Sequence, residues 1–471
     1  MIPVLTKDQA YKLDKETIQS GYLSQEELMD NAGKAVAQYF CEQIRDPFNQ
    51  KVIVVCGKGN NGGDGVIAHS YLKKYNISSK IVFTEEKHNH FKLFKKYKIS
   101  NGDFSIYNDN IKFDKYNWII DAVFGIGLSR SLTDKYIQIF KNLNKNKNII
   151  SIDVQSGLSI DSDDSKYFIN SKFTLTLGYP KLTHYLIPHN NLIVLDIGFK
   201  NNNKFNLQLI CKSDILNILK KFILKSNVHK YTKGYVSISA GSNKYPGAAI
   251  ISSLAAYKTG AGYVNLFFLG NDEMKDNIKC QYPDIILDKL PKSADFCLFG
   301  PGYNFNENIK WPNMDGHKSI VCDASILTKA SNINDFPQNS ILTPHAGEYK
   351  KLFNIKNVLD LSSFNKIQKS IKDKIIILKT FNTFIITKDM IYIMDKGPSI
   401  LSTAGSGDVL SGILVSLLSQ GYSRLEASIL GTYLHAEAAN YYMNNISKDG
   451  MIASDLIDCI PNAFNKLRNH A

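Results

Sequence analysis

Short apolar runs alternate with amphipathic stretches along most of this chain, and that alternation restricts the fold more than any single motif. The strand-like runs are VIVVC (52–56), KIVFT (80–84), WIIDAVF (118–124), IISID (149–153), FTLTLG (173–178) and LIVLDIG (192–198). Helix-like stretches lie between them. One is QEELMDNAGKAVAQYFCEQI (25–44), whose apolar residues recur near the 3.6-residue period. Such alternation predicts βαβ units, hence an α/β protein with a mostly parallel sheet covered on both faces.

The pattern breaks once. The polar stretch KNNNKFN (200–206) reads as a linker or surface loop, and a second alternating region starts at YVSISAGS (235–242). A length of 471 residues calls for two or three domains. The expected division is 1–211 and 212–471. No short-period repeat is visible, which argues against a solenoid.

Several function classes are disfavoured. No apolar run reaches the ~18–20 residues that span a bilayer. The opening MIPVLTKDQAYKLDKE has no apolar signal region. A cytoplasmic protein without a membrane partner is expected. The net charge of +13 comes from lysines scattered along the whole chain. No Arg-rich block or basic stripe interleaved with aromatics accompanies it, so nucleic acid is not an expected partner. The seven cysteines form no C-x-x-C and have no His at zinc spacing. They read as buried, reduced packing residues.

Five of the nine residues 57–65 (GKGNNGGDG) are glycine, directly after VIVVC. Gly57, Gly59 and Gly62 satisfy G-x-G-x-x-G, and Glu85 or Glu86 stands where a dinucleotide fold places its ribose acid. Asp64 argues against a pyrophosphate loop, because a carboxylate there would repel the phosphates. Asn60, Asn61 and Asp64 supply oxygens that suit a cation. Two more strand ends carry similar chemistry. Asp121 leads into AVFGIGLS, and Asp153 leads into VQSGLS with Ser156. Ligands of open α/β sheets sit at such carboxyl ends. Each acid taken alone also fits a turn former or a helix cap.

GNNGGDG, DAVFGIGL and SIDVQSGL, with LTKDQAYKLDKETI and LMDNAGKAVA before them, resemble the NAD(P)H-hydrate epimerase domain over residues 1–200. The resemblance implies a Rossmann-like domain that interconverts the R and S hydrates of NADH and NADPH (NADHX and NADPHX). It implies a K+ ion held by Asn61, Asp121 and Ser156. It places substrate against Asn60, Asn61, Gly62, Gly63 and Asp64, and against Gly125, Ile126, Gly127, Leu128, Ser129, Arg130 and Ser131. Asp153 would be the acid–base residue at the hydrated carbon. Gln155 departs from the family, which usually has Pro there.

In the second region, ILSTAGSGDVLSGILVSLLSQG (400–421) sets AGSGD before a long apolar helical pattern. Backbone N–H groups of Gly405, Ser406 and Gly407 at a helix start suit an anion. Asp408 alone also fits an acid that stabilises the first helical turn. No Walker motif is present. With SNKYPGAAIISSLAAYKTGAGYVNL (242–266), FGPGY (299–303) and LTPHAGEYKKL (342–352), the segment resembles ribokinase-like NAD(P)H-hydrate dehydratases over 222–440. That implies Asp408 as base, with Ala249, Gly302, His345 and Asp408 contacting the hydrate. Lys379, Thr380, Phe381, Asn382, Thr383 and Gly407 would contact ADP or ATP, ADP being favoured by the fused arrangement, and Mg2+ would accompany the nucleotide. His345 also fits a plain hydrogen-bonding turn residue. Departures are Tyr231 and Thr380 where Gly is usual, Ser325 where Asp is usual, and Ala404 and Ser406 within AGSGD. A homo-oligomer stays open. So does a ribokinase-like small-molecule kinase fused to a non-catalytic binding module.

Overall fold

The computed structural model describes the chain except residues 87–89, 129–130, 164, 189–190, 201–203, 222–228, 231–232, 292–293, 308–309 and 470–471. It divides into two compact units, Pro3–Phe205 and Met1–Ile2 with Asn206–Ala471. The division falls a few residues before the expected 211/212, because Leu207–Leu209 already pair with a strand of the second unit.

In chain order, β1 (Ile2–Pro3) lies at one edge of the second unit's sheet. The first unit follows with α1 (Lys7–Gln19), α2 (Gln25–Gln43), β2 (Lys51–Cys56), α3 (Asn60–Lys74), β3 (Ser78–Phe83), α4 (Phe91–Lys96) and β4 (Phe104–Ile106). It continues with β5 (Trp118–Ala122), α5 (Asp134–Leu143), β6 (Ile149–Ile152), β7 (Phe173–Leu177), α6 (Thr183–Leu186) and β8 (Leu192–Leu195). Seven described strands form a parallel sheet in the order β4-β3-β2-β5-β6-β7-β8.

Period-two geometry explains why VIVVC is apolar throughout. Val52, Val54 and Cys56 pack against Val36 and Phe40 of α2, while Ile53 and Val55 pack against Ile139 and Phe140 of α5. Each such buried aliphatic side chain contributes about 1.5–3 kcal/mol. Capping boxes set where the first two helices begin: Thr6 with Gln9 for α1, Ser24 with Glu27 for α2. The α1 start also fixes that Tyr11 and Asp14, three residues apart, share a face.

The second unit contains β9 (Leu207–Leu209), α7 (Lys212–Lys220), β10 (Tyr235–Ala240), α8 (Pro246–Thr259), β11 (Tyr263–Phe268), α9 (Asp272–Gln281), β12 (Ile286–Leu287) and β13 (Phe296–Phe299). Next come β14 (Ser319–Cys322), α10 (Ser325–Lys329), β15 (Ser340–Leu342), α11 (Ala346–Phe353), α12 (Leu361–Ile371) and β16 (Ile375–Lys379). The unit ends with β17 (Thr383–Ile386), β18 (Ile391–Met394), α13 (Ser406–Ser419), α14 (Arg424–Asn445) and α15 (Ala453–Arg468). Its sheet order is β1-β9-β18-β17-β16-β15-β14-β13-β10-β11-β12, parallel from β16 to β12, with β17 antiparallel to both neighbours. One face is covered by α8, α13, α14 and α15, whose apolar residues share a core with Val236 and Ile238 of β10. A Cβ at Gly412 of α13 would lie 2.3 Å from the Ser252 carbonyl oxygen, so glycine permits the close approach of α13 to α8.

Two expectations need correcting. The glycine stretch 57–65 is a loop only to Gly59; Asn60 onward is the first turn of α3. The cysteines are not uniformly buried: Cys56, Cys297, Cys322 and Cys459 are, Cys41 and Cys211 are half-buried, and Cys280 is exposed. Burial is decided by which helix face meets the sheet, and α9 turns Cys280 outward.

Candidate functional sites

In the first sheet the connections reverse between β2 and β5, and the loops leaving these strands part there. Ligands of open α/β sheets bind at such a point. The Gly57 N–H donates to the Ala122 carbonyl at 3.0 Å, and a Cβ at Gly57 would sit 2.0 Å from the Val123 carbonyl oxygen. Only glycine lets the two strand ends touch. Beside them, the buried Asp121 carboxylate accepts from the Ser156 hydroxyl (2.6 Å), the Ser156 N–H (3.0 Å) and the Ser151 hydroxyl (2.8 Å). The Phe124 N–H donates to the Ser156 hydroxyl oxygen at 2.8 Å. Asn61 is buried, and neither its amide oxygen nor its amide nitrogen has a partner. A buried, unpaired amide costs about 1–3 kcal/mol, so it points to a missing ligand. The Asn61 oxygen, the Ser156 hydroxyl and the Asp121 carboxylate are hard-oxygen donors of the kind an alkali cation takes.

A cavity of about 990 Å3 opens at this strand-end edge. Asn60, Asn61, Asp64, Gly125, Ile126, Gly127, Leu128 and Asp153 line it. Gly62 and Gly63 do not: their absent side chains would collide with the Gly57 carbonyl at 1.9 Å and the Met29 sulfur at 2.7 Å, so both serve close packing of α3. Ser131 is exposed and off the lining. Ser129 and Arg130 lie outside the described residues. Glu85 accepts from the Tyr136 hydroxyl (2.6 Å), pairs with Lys58 (3.3 Å) and is off the cavity lining.

Asp153 follows β6 in the left-handed region, at φ 69°. Asp tolerates this better than most residues, and strain of this kind persists where surroundings enforce it. Its carboxylate accepts from the Lys181 ammonium at 2.5 Å. Lys181, itself buried, also donates to the Thr176 hydroxyl (3.0 Å) and the Leu177 carbonyl (2.8 Å). His184 binds the same turn from both sides. Its Nδ1 accepts the Lys181 N–H (3.0 Å), which leaves Nε2–H to donate to the Asp153 carbonyl (2.9 Å). Two further acids face this ion pair. Burial, then the Asp153 charge, pushes Asp14 up to about 6, with Lys181 opposing. Burial, Asp153 and Asp14 raise Asp64 further. Lys181, His184 and Asp14 were missed from the sequence. Lys181 stands four residues past the end of β7, outside the strand-end pattern that marks Asp121 and Asp153.

In the second sheet the reversal lies between β10 and β13. Gly302, at φ 66°, packs against Tyr245, Ala248 and Gly241, and Gly241 in turn touches Ala249. Gly302 and Ala249 therefore lie on either side of Gly241. His345 is the N-cap of α11. Its Nδ1 accepts the N–H groups of Gly347 (3.0 Å) and Glu348 (3.3 Å), which assigns the proton to the outward Nε2. Lys379, at the end of β16, pairs with Asp323 at 2.9 Å. The other oxygen of Asp323 accepts the Ser411 hydroxyl of α13 at 2.5 Å. A Cβ on Gly407 would lie 3.2 Å from the Lys379 ammonium nitrogen, so this cation stands at the start of α13. Gly405, at φ 85°, caps that helix. His435, held neutral near about 4 by burial, lies 2.9 Å from the Ser406 carbonyl and buttresses the turn. Burial and the Asp323 charge push Asp408 up to about 7. Thr380 fits without strain: its hydroxyl donates to the Asn382 carbonyl at 2.6 Å within the turn joining Lys379 to Thr383, where Phe381 is exposed. Ser325 opens α10 and Gln155 donates to the Ile169 carbonyl at 3.0 Å. Tyr231 lies outside the described residues. Asp323, Ser411 and His435 were not anticipated.

Two family descriptions match the chain: "NAD(P)H-hydrate dehydratase" over residues 236–462 and "YjeF-related protein N-terminus" over 25–183. A Dictyoglomus turgidum protein named bifunctional NAD(P)H-hydrate repair enzyme Nnr is 30% identical, over 93% of this chain and 94% of its own. A protein of the same name from Thermofilum pendens is 26% identical, over 97% and 95%. Among solved structures, the ADP/ATP-dependent NAD(P)H-hydrate dehydratase of Bacillus subtilis, co-crystallised with ATP and Mg2+, is 21% identical with a TM-score of 0.48, over 56% of this chain and all of that one. Matched along nearly its whole length, with a strand-end site in each unit, this chain belongs to the family of bifunctional NAD(P)H-hydrate repair enzymes.

Proposed function

We propose that the protein repairs hydrated NADH and NADPH in two steps: its first unit interconverts the R and S hydrates, and its second dehydrates the S form with ADP or ATP. The observation that carries the first step is the buried Lys181–Asp153 ion pair inside a cavity of about 990 Å3 at the sheet's reversal point. Asp153 moves the proton at the hydrated carbon, and Lys181 and His184 hold it in place. Asn61, Asp121 and Ser156 would hold K+, which would supply a fixed positive charge for the substrate's polar groups. Asn60, Asp64 and residues 125–128 line the space for the nucleotide.

In the second unit, Asp408 takes the proton from the substrate hydroxyl as its oxygen attacks the terminal phosphorus. Phosphoryl transfer needs chiefly positioning and neutralised charge. The N–H groups at the start of α13 and the Lys379 ammonium provide both. Gly302, Ala249 and His345 contact the hydrate, and residues 379–383 with Gly407 contact the nucleotide. Mg2+ would enter with the phosphates. The ester's carbon–oxygen bond then breaks with both electrons leaving on phosphate, and the adjacent ring carbon gives up a proton, which restores the double bond of the reduced ring; hydroxide alone is a far poorer leaving group. The products are phosphate and AMP from ADP, or ADP from ATP. The substrates are small molecules, and a soluble, cytoplasmic location agrees with them. No described helix is long and apolar enough to cross a membrane.

One assay tests both steps. An R/S mixture of hydrated NADH is incubated with the protein, ADP or ATP is added, and absorbance of the reduced nicotinamide is followed. Recovery beyond the S fraction requires both units. With Asp153→Asn, recovery should stop at the S fraction; undiminished recovery overturns the role of Asp153.

A further inference from the structure

Epimerisation at the hydrated carbon needs chemistry on both faces of the ring, and Asp153 stands on one side of the cavity. Helix α1 reaches the same cavity. Its Ala10 and Leu13 are buried in one cluster with Ile126 and Val154, the residues beside Gly125–Gly127 and Asp153. Tyr11 and Asp14, on that helix, line the cavity with Asp153 and Lys181. The glycine loop spans the gap: a Cβ at Gly125 would lie 3.4 Å from an Asp153 carboxylate oxygen, and one at Gly127 3.1 Å from the Tyr11 hydroxyl. No described residue hydrogen-bonds the Asp14 carboxyl group.

Resting on the epimerase reading above, we propose that Asp14 is the second catalytic carboxyl of the first site, working on the face of the substrate carbon opposite Asp153. The double bond lost on hydration of a dihydronicotinamide is an enamine, so the added hydroxyl sits on the carbon next to the ring nitrogen. For one direction, the bond from that carbon to the hydroxyl oxygen breaks and both electrons leave with oxygen. Asp14 supplies the proton that makes it water. The nitrogen lone pair closes the carbon–nitrogen double bond. A second water adds to the carbon from the other face, the double-bond electrons return to nitrogen, and the water's extra proton passes to Asp153. One water leaves, one enters, and a proton moves from Asp14 to Asp153. The reverse direction exchanges the roles.

The two carboxyls have different partners. Lys181 pairs with Asp153, while burial and the Asp153 charge lift Asp14 to about 6. The groups facing Asp14 are Tyr11 on its own helix, Asp153, Lys181 and Asp64 on α3, with Lys15 and Lys58 at the lining.

The test uses the full chain with purified R-NADHX and KCl, and reads the S epimer. Asp14→Asn should lower the epimerisation rate by about 10²–10⁴-fold. In the wild type, log rate against pH should show a limb near 6, absent in Asp14→Asn and displaced in Asp14→Glu. A second measurement uses the wild type alone: in H2 18O, each inversion should place one solvent oxygen on the carbon. Inversion with the original oxygen retained overturns the mechanism, and so does an Asp14→Asn chain within a few-fold of wild type or with an unchanged limb. A wild-type chain that does not epimerise overturns the parent reading, which separates the two failures.

Discussion

The Lys181 ammonium lies 2.5 Å from the Asp153 carboxylate, and both groups are nearly removed from solvent. A buried ion pair is worth little against an apolar replacement, yet removing one partner strands the other. Lys181→Met should therefore destabilise the first unit by about 3–5 kcal/mol, read by thermal unfolding, and abolish epimerisation. The pair Asp153→Asn with Lys181→Met should recover much of the stability and none of the activity. Equal stability of Lys181→Met and wild type would show that the pair is not closed in solution.

The unpaired Asn61 amide leads to a cation test. A ligand that binds only the folded state stabilises it by about 2.7 kcal/mol at a hundred times its Kd. The melting transition of the first unit should rise when KCl replaces choline chloride at constant ionic strength. Asn61→Ala should flatten that response; an identical rise in the variant would remove Asn61 from the site.

Asp408 gives a pH prediction of definite sign. Its folded pKa, about 7, lies above the ordinary 3.8, so the native state holds the extra proton between those values. Stability from this group is present below about 4 and declines as pH rises through about 7. Asp408→Asn should thus unfold later than wild type at pH 8, by about 1–2 kcal/mol, with the gap closing in acid. Dehydration should fall about 10²–10⁴-fold. In the wild type, the rate limited by this base should climb through pH 7.

The glycines after β2 are not equivalent. Nothing lies within 4 Å of a Cβ at Gly59, whereas one at Gly57 would meet the Val123 carbonyl oxygen at 2.0 Å. Gly59→Ala should change stability by under about 0.5 kcal/mol, and Gly57→Ala should cost at least about 2 kcal/mol. Denaturant unfolding of the two variants decides it.

Asp323 orients Lys379 through its other contact, the Ser411 hydroxyl. Asp323→Asn should raise the KM for ADP severalfold while leaving epimerisation unchanged, and Asp323→Glu should restore part of the affinity. An unaltered KM would mean that Lys379 finds its position without this partner.

What could be read along the chain was the local grammar. Strand runs such as VIVVC are apolar on both faces because helices cover both sides, and alternation of period announces parallel βαβ units. Asp121, Asp153 and Asp408 were legible for the same reason, each standing where a strand or glycine turn hands the chain to the next element. That grammar ends at the element boundary. Asn60 to Asp64 look like a loop but are helix, since glycines at 62 and 63 let α3 sit against Gly57 and Met29. Lys181 and Asp14 carry no local mark, because their roles depend on partners far along the chain, brought close by the order in which strands pair. Their charge states follow from burial and from one another. Spacing in sequence determined which strand ends could carry chemistry; only packing in three dimensions decided which groups face each other across the cavity, because electrostatic coupling depends on distance through space and on exclusion of water, neither of which a linear order records.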